Sequence, residues 1–113
     1  MRVKRGIVSR RKHNKLAEQT RGYRGTKHRL VKTAKEALLH AGAYAYHGRK
    51  IKKRDIRALW ITRIGEAAKL QGISYSALIN KLKNDKIELD RKILADLVVN
   101  DPETFKKIVT SVK

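Results

Sequence analysis

The sequence predicts an all-α chain, with a long basic N-terminal helical extension followed by a small C-terminal helical bundle. Two observations predict it. Charge is unevenly spread over the 113 residues: residues 1–59 hold 19 Lys and Arg against three acids, net +16, while residues 60–113 hold 10 against seven, net +3. In the later part, apolar residues recur at spacings of three and four, and each run is bounded by residues that start or stop helices. The organisation expected is therefore a basic extension over 1–59 and a small globular helical domain over 60–113.

Residues 1–25 contain Gly6, Gly22 and Gly25, many cations and few apolar anchors. Such a segment buries too little apolar surface to offset its chain entropy. It is expected to be disordered or frayed alone and ordered by a polyanion. Thr26 is expected to cap a helix with the apolar stripe Leu30, Ala34, Ala37, Leu38 and Ala41. Gly42 and Gly48 weaken that helix by about 1 kcal/mol each relative to Ala. Beyond them, Arg49, Lys53 and Arg57 share one face and Lys50 and Arg54 the next, a spacing at which like charges repel.

Ile56, Trp60, Ile64, Ala67 and Ala68 carry a helix across the composition boundary. Gly72 fits its C′ position, where positive φ costs Gly little, and Ile73 folds apolar contact back onto the last turn. Ser74 caps the next helix, with Leu78, Ile79 and Leu82 on its buried side. Asp90 caps a third, in which Leu89 and Leu94 have the spacing of a hydrophobic staple and Ile93, Leu94, Leu97 and Val98 form the buried stripe. Asp101-Pro102-Glu103 opens a fourth as cap, first-turn Pro and acid at the positive end of the dipole; Phe105, Ile108, Val109 and Val112 follow. A core from so short a segment is marginal, since domains of this size bury only about 60% of their chain's surface.

Composition removes several functions. Without Cys there are no disulfides, thiolate metal sites or cysteine nucleophiles. The basic opening is followed by no apolar core of a secretory signal, and no apolar run approaches the length of a membrane span, so a soluble protein of a reducing compartment is expected. His13, His28, His40 and His47 lack metal-ligand spacing. Asp90 and Asp96 read as a cap and a solvent-face residue, Ser74 and Ser76 have no neighbouring base, and no phosphate-cradling Gly loop is present. No catalysis, cofactor, metal or small-molecule substrate is expected.

Net +16 over 59 residues points to phosphate binding rather than to a solvated charge face. If half of those 19 cations touch phosphate, about 6–10 contacts result. A thin basic helix with an arm suits irregular folded RNA, and Tyr23 within Gly22-Tyr23-Arg24-Gly25 is placed to stack on a base or to pack on its own helix. Of Tyr44 and Tyr46, two apart, one is expected to pack and the other to face RNA. Trp60 reads as core in preference to a stacking platform. A DNA-binding helix-turn-helix built on Ala68, Gly72 and Leu78 is disfavoured by Lys81 at an apolar position. A membrane-surface helix is disfavoured because residues 49–57 are cationic nearly all round.

The run Lys53-Arg54-Asp55-Ile56-Arg57-Ala58-Leu59-Trp60-Ile61-Thr62-Arg63-Ile64 resembles the signature of bacterial-type large-subunit ribosomal protein number twenty. So do Arg2-Val3-Lys4-Arg5-Gly6, Gly22-Tyr23-Arg24-Gly25, Ala43-Tyr44-Ala45-Tyr46, Gly72-Ile73-Ser74-Tyr75-Ser76 and the run from Leu89 to Leu97, so that the resemblance spans essentially the whole chain. The chain departs from the family pattern at Gly65 for Asn, His47-Gly48 for Arg-Asp, and Ile56 and Leu78 for Phe; these departures bear on single contacts. The resemblance implies an all-helical protein whose basic extension threads into large-subunit ribosomal RNA, with a globular C-terminal domain on the RNA surface. It implies a role in early subunit assembly beside neighbouring large-subunit ribosomal proteins, in the bacterial cytoplasm or a plastid stroma. In some members the C-terminal domain also binds the protein's own messenger RNA and represses it. The RNA-binding residues it implies are Arg2, Lys4, Arg5, Arg10, Arg11, Lys12, Arg21, Tyr23, Arg24, Lys27 and Arg29 in the arm, and Arg49, Lys50, Lys52, Lys53, Arg54, Arg57 and Arg63 on the helix.

Overall fold

The computed structural model describes residues 4–112, and these are all-α. Five α-helices follow in order: α1 (Gly6–Gln19), α2 (Val31–Leu70), α3 (Tyr75–Asn84), α4 (Arg91–Asn100) and α5 (Pro102–Ser111), with a short 3-10 segment at Gly25–His28. The described chain divides into two compact units, one ending at Lys50 and the other beginning at Ile51; α2 contributes to both.

In the first unit, residues 6–19 are helical where the sequence suggested an unformed arm. A helix satisfies its own backbone groups, so these residues form one without a core; α1 itself has no buried residue. Among the described residues of this unit only Thr20 and Ala34 are buried. The Thr20 hydroxyl donates to the Leu16 carbonyl at 3.0 Å, and its amide donates to the same oxygen, closing α1. Thr26 does not cap α2 through its side chain. It lies in the 3-10 segment, and its carbonyl accepts from the Leu30 amide at 2.9 Å and the Thr33 hydroxyl at 3.2 Å. The intervening turn advanced the helix start to Val31, and it left Leu30, expected in the stripe, half exposed. α2 then runs unbroken through Gly42 and Gly48.

In the second unit, Ile64, Ala68, Ile73, Leu78, Leu82, Leu94, Ala95, Phe105, Val109 and Val112 form the core. The Gly72 expectation holds: its φ is +75°, its amide donates to the Lys69 carbonyl at 2.9 Å, and the Ile73 amide reaches the Ala68 carbonyl at 3.1 Å. Those paired bonds satisfy the last carbonyls of α2 and turn Ile73 into the core. Ser74 accepts from the Ala77 amide at 3.3 Å as expected. Asp90 occupies the N-cap position of α4, but its side chain makes no cap bond; only its carbonyl engages, accepting from the Leu94 amide. Ile93 is 47% exposed rather than buried, and Ala95 takes the buried place. The α4 stripe is thus rotated relative to the expectation, by the way α4 docks on its neighbours. Arg91 Nε donates to the Tyr75 hydroxyl at 2.9 Å, tying the start of α4 to the start of α3. Gly65 is buried opposite this tie, and a Cβ there would meet the Tyr75 Cβ at an ordinary 3.7 Å.

Asp101 caps α5 fully. Its carboxylate accepts from the Thr104 hydroxyl at 2.6 Å and from the Thr104 amide at 3.1 Å. The hydroxyl bond, then the amide bond, with a smaller pull from Lys107, hold this carboxyl below its ordinary value against a small opposing desolvation. A depressed folded value means that the cap's contribution is present above the ordinary carboxylate range and is lost as pH falls through the folded value.

The end of α3 repeats the Gly72 geometry with a less suited residue. The Ile87 amide donates to the Leu82 carbonyl at 2.9 Å and the Lys86 amide to the Lys83 carbonyl at 3.2 Å, placing Lys86 at φ +54°. A side chain in that region is crowded by its own carbonyl. Lys86→Gly is expected to stabilise the second unit by about 0.5–1 kcal/mol. That is a rise of a few degrees in melting temperature, and an unchanged or lower midpoint would contradict it.

Candidate nucleic-acid interface

Arg2 lies outside the described residues. Every other basic residue expected to bind RNA is exposed, and among the described residues none of these cations is held by a carboxylate. Arg10, Arg11 and Lys12 stand on α1, with Lys4 and Arg5 just before it. Arg21 and Arg24 occupy the turn after α1, Lys27 the 3-10 segment and Arg29 the residue following it. Arg49, Lys50, Lys52, Lys53, Arg54, Arg57 and Arg63 project from α2. Guanidinium and ammonium groups that no carboxylate holds are available to phosphate, and Arg offers a planar fork for it.

The turn in the first unit is shaped by its glycines. Gly22 at φ +86° and Gly25 at φ +67° take backbone angles that side chains rarely adopt. They bring Tyr23 back toward α2, and His28 Nδ1 donates to the Tyr23 carbonyl at 2.9 Å, locking the turn. Tyr23 is half-buried there, lining with Lys27, His40 and Tyr44 a hollow of about 600 Å³. The expectation that one of Tyr44 and Tyr46 packs into the fold does not hold, since they are 74% and 51% exposed. The turn beside this stretch of α2 leaves a hollow rather than a packed surface at Tyr44. Tyr44 instead lies over the His40 ring at a 6.4 Å centroid separation, and Lys50 Nζ sits 4.6 Å from the Tyr46 ring centroid, a cation–π contact.

The second unit carries a different arrangement. Lys53, Ile56, Arg57 and Trp60 recur at i, i+3, i+4 and i+7 and so share one face of α2. With Arg54, and with Lys92 from α4, they line an open hollow of about 800 Å³. Trp60 belongs there as well as to the core, against which it packs while partly exposed. Lys92 was not among the residues expected to bind RNA. It stands 32 residues after Trp60, and no local pattern signals that α4 brings it to this rim. The floor is apolar, the rim has four cations and no acid, and such a site suits an anion carrying a flat apolar group.

Among the described residues no group of three or more His, Cys, Asp or Glu side chains could hold a metal ion, and no helix is long and apolar enough to cross a membrane.

Residues 2–108 match the family described as ribosomal protein L20. The chain is 57% identical to the large ribosomal subunit protein bL20 of Chloroflexus aurantiacus over 108 residues, covering 96% of this chain and 91% of that protein. The bL20 proteins of Roseiflexus castenholzii and Geobacter metallireducens are similar too. The first is 54% identical over 96% of this chain and 92% of its own length, the second 52% identical over 99% and 96%.

Proposed function

The chain belongs to the ribosomal protein L20 family, a family of structural proteins and not of enzymes, and we propose on that premise that it binds large-subunit ribosomal RNA directly and promotes early assembly of the large subunit. The observation that carries this reading is that the described cations expected to bind RNA, on α1, the following turn and α2, are all exposed and none is held by a carboxylate. The mechanism is neutralisation. RNA helices repel at close approach, and a thin cationic helix laid between them replaces diffuse counterions with fixed ones. Its partners are large-subunit ribosomal RNA and the proteins beside it in the ribosome, in the bacterial cytoplasm or, for an organelle-encoded chain, the plastid stroma. Repression of its own messenger would fall to the second unit, whose cation-rimmed hollow offers that RNA a face.

The test is co-sedimentation with large subunits, which is expected to survive a mild salt wash. A chain left in the supernatant would refute the reading. Coupled ordering is expected alongside it. α1 has no fully buried residue and little apolar packing beyond the half-buried Leu16, so in the free chain it rests largely on its own hydrogen bonds, and short helices held so are marginal in water. Helix content by circular dichroism is therefore expected to rise when the RNA is added. Equal helicity with and without RNA would count against that coupling.

A further inference from the structure

We propose that the hollow beside Trp60 is a stacking site for one unstacked base of the bound RNA, with Lys92 on a phosphate next to that base. The inference rests on the RNA-binding reading and adds to it a position, an aromatic platform and a cation from another helix.

Three features of the hollow carry it. Its floor, Ile56 and Trp60, is apolar and aromatic, and Trp60 is backed by the core, so the ring is held in place without being covered. A fixed, partly exposed indole is suited to stacking, because a base meets a surface already ordered. The rim is formed by Lys53, Arg54, Arg57 and Lys92, with no acid among the lining residues, so the occupant is anionic. An apolar ligand would not need that rim, and an acidic peptide would not need the indole. Finally, the rim spans two helices. Lys53 and Arg57 come from α2 and Lys92 from the start of α4, so that two helices supply cations to one aromatic surface, as a nucleotide with a phosphate on either side of its base needs. A hollow of about 800 Å³ is ample for one nucleoside.

The chain has one Trp, so its emission reports this site alone. The full chain is titrated with a short single-stranded oligouridylate and, separately, with a blunt RNA duplex of the same charge. The expected result is quenching of Trp60 emission by the single strand and little change on binding the duplex, whose bases are all stacked. Trp60→Leu is expected to weaken single-strand binding about 5- to 150-fold with an unchanged salt slope, while Trp60→Phe retains most of the affinity. Lys92→Ala is expected to lower the salt slope by about one and to leave the quenching in place. Should Trp60→Leu melt early, the wild-type titration decides the matter, since it needs no substitution. RNA binding with unaltered Trp60 emission, or equal quenching by the duplex, would overturn the stacking site alone. Failure of both RNAs and of large-subunit RNA to bind would overturn it together with the reading beneath it.

Discussion

Raising monovalent salt from about 50 to about 200 mM is expected to weaken the complex of this chain with large-subunit ribosomal RNA by about 10³–10⁵. Each phosphate neutralised by Lys or Arg releases condensed counterions, and that entropy gain shrinks as bulk salt rises. The size follows from about 6–10 phosphate contacts, which half of the 19 cations in residues 1–59 would supply. Exposure makes the estimate apply: cations already held by carboxylates would release fewer ions, and among the described residues those of α1 and α2 expected to bind RNA are not so held. Replacing Arg54 and Arg57 together by Ala is then expected to lower the slope of log affinity against log salt by about one per lost contact. The free chain should keep its melting behaviour, since both side chains are exposed on α2. A filter-binding or fluorescence series at several salt concentrations measures the slope. An unchanged slope would remove these two residues from the interface.

Leu94→Ala is expected to destabilise the second unit by about 2–5 kcal/mol. Leu94 is fully buried among Ile64, Leu78, Phe105 and Val109, where truncation both removes apolar contact and leaves a cavity. A unit of this size has only about 3–9 kcal/mol of stability in total. The substitution therefore consumes much of it, and the melting temperature should fall by about 10 °C or more. Ile93→Ala, one residue earlier and 47% exposed, is the control, expected to change stability by less than about 1 kcal/mol. Circular dichroism melts of both variants decide the matter. Equal midpoints for the two would mean that α4 docks on another face.

The contrast between those neighbouring residues also marks how far the sequence could be read. Periodicity assigned both to the buried stripe, because a run of Ile93, Leu94, Leu97 and Val98 fits a helical face that includes either flank. The choice between flanks belongs to the docking of α4 on α5 and α3, which put Ala95 in the core and Ile93 outside. Thr26 shows a second limit. A hydroxyl before an apolar run is a good cap in sequence, yet a 3-10 turn intervened, and Thr26 engages only through its carbonyl, which accepts from the Leu30 amide just ahead of α2. Asp90 is a third, the right residue at the right position with its side chain unused. Tyr44 and Tyr46 were assigned different fates by their spacing, but neither is covered in the fold and both stay exposed.

Helical class, the terminators at Gly72 and Asp101-Pro102, and the location of the surplus charge were all determined by the sequence alone. Each depends on backbone angles, hydrogen bonds or ionised groups within about five residues of chain, so a short stretch of sequence contains all that specifies it. Tertiary structure alone decided which flank of α4 is buried and that Lys92 shares a hollow with Trp60. Those follow from how separate helices fit their side chains together, a property of whole packed surfaces that no short stretch of sequence contains.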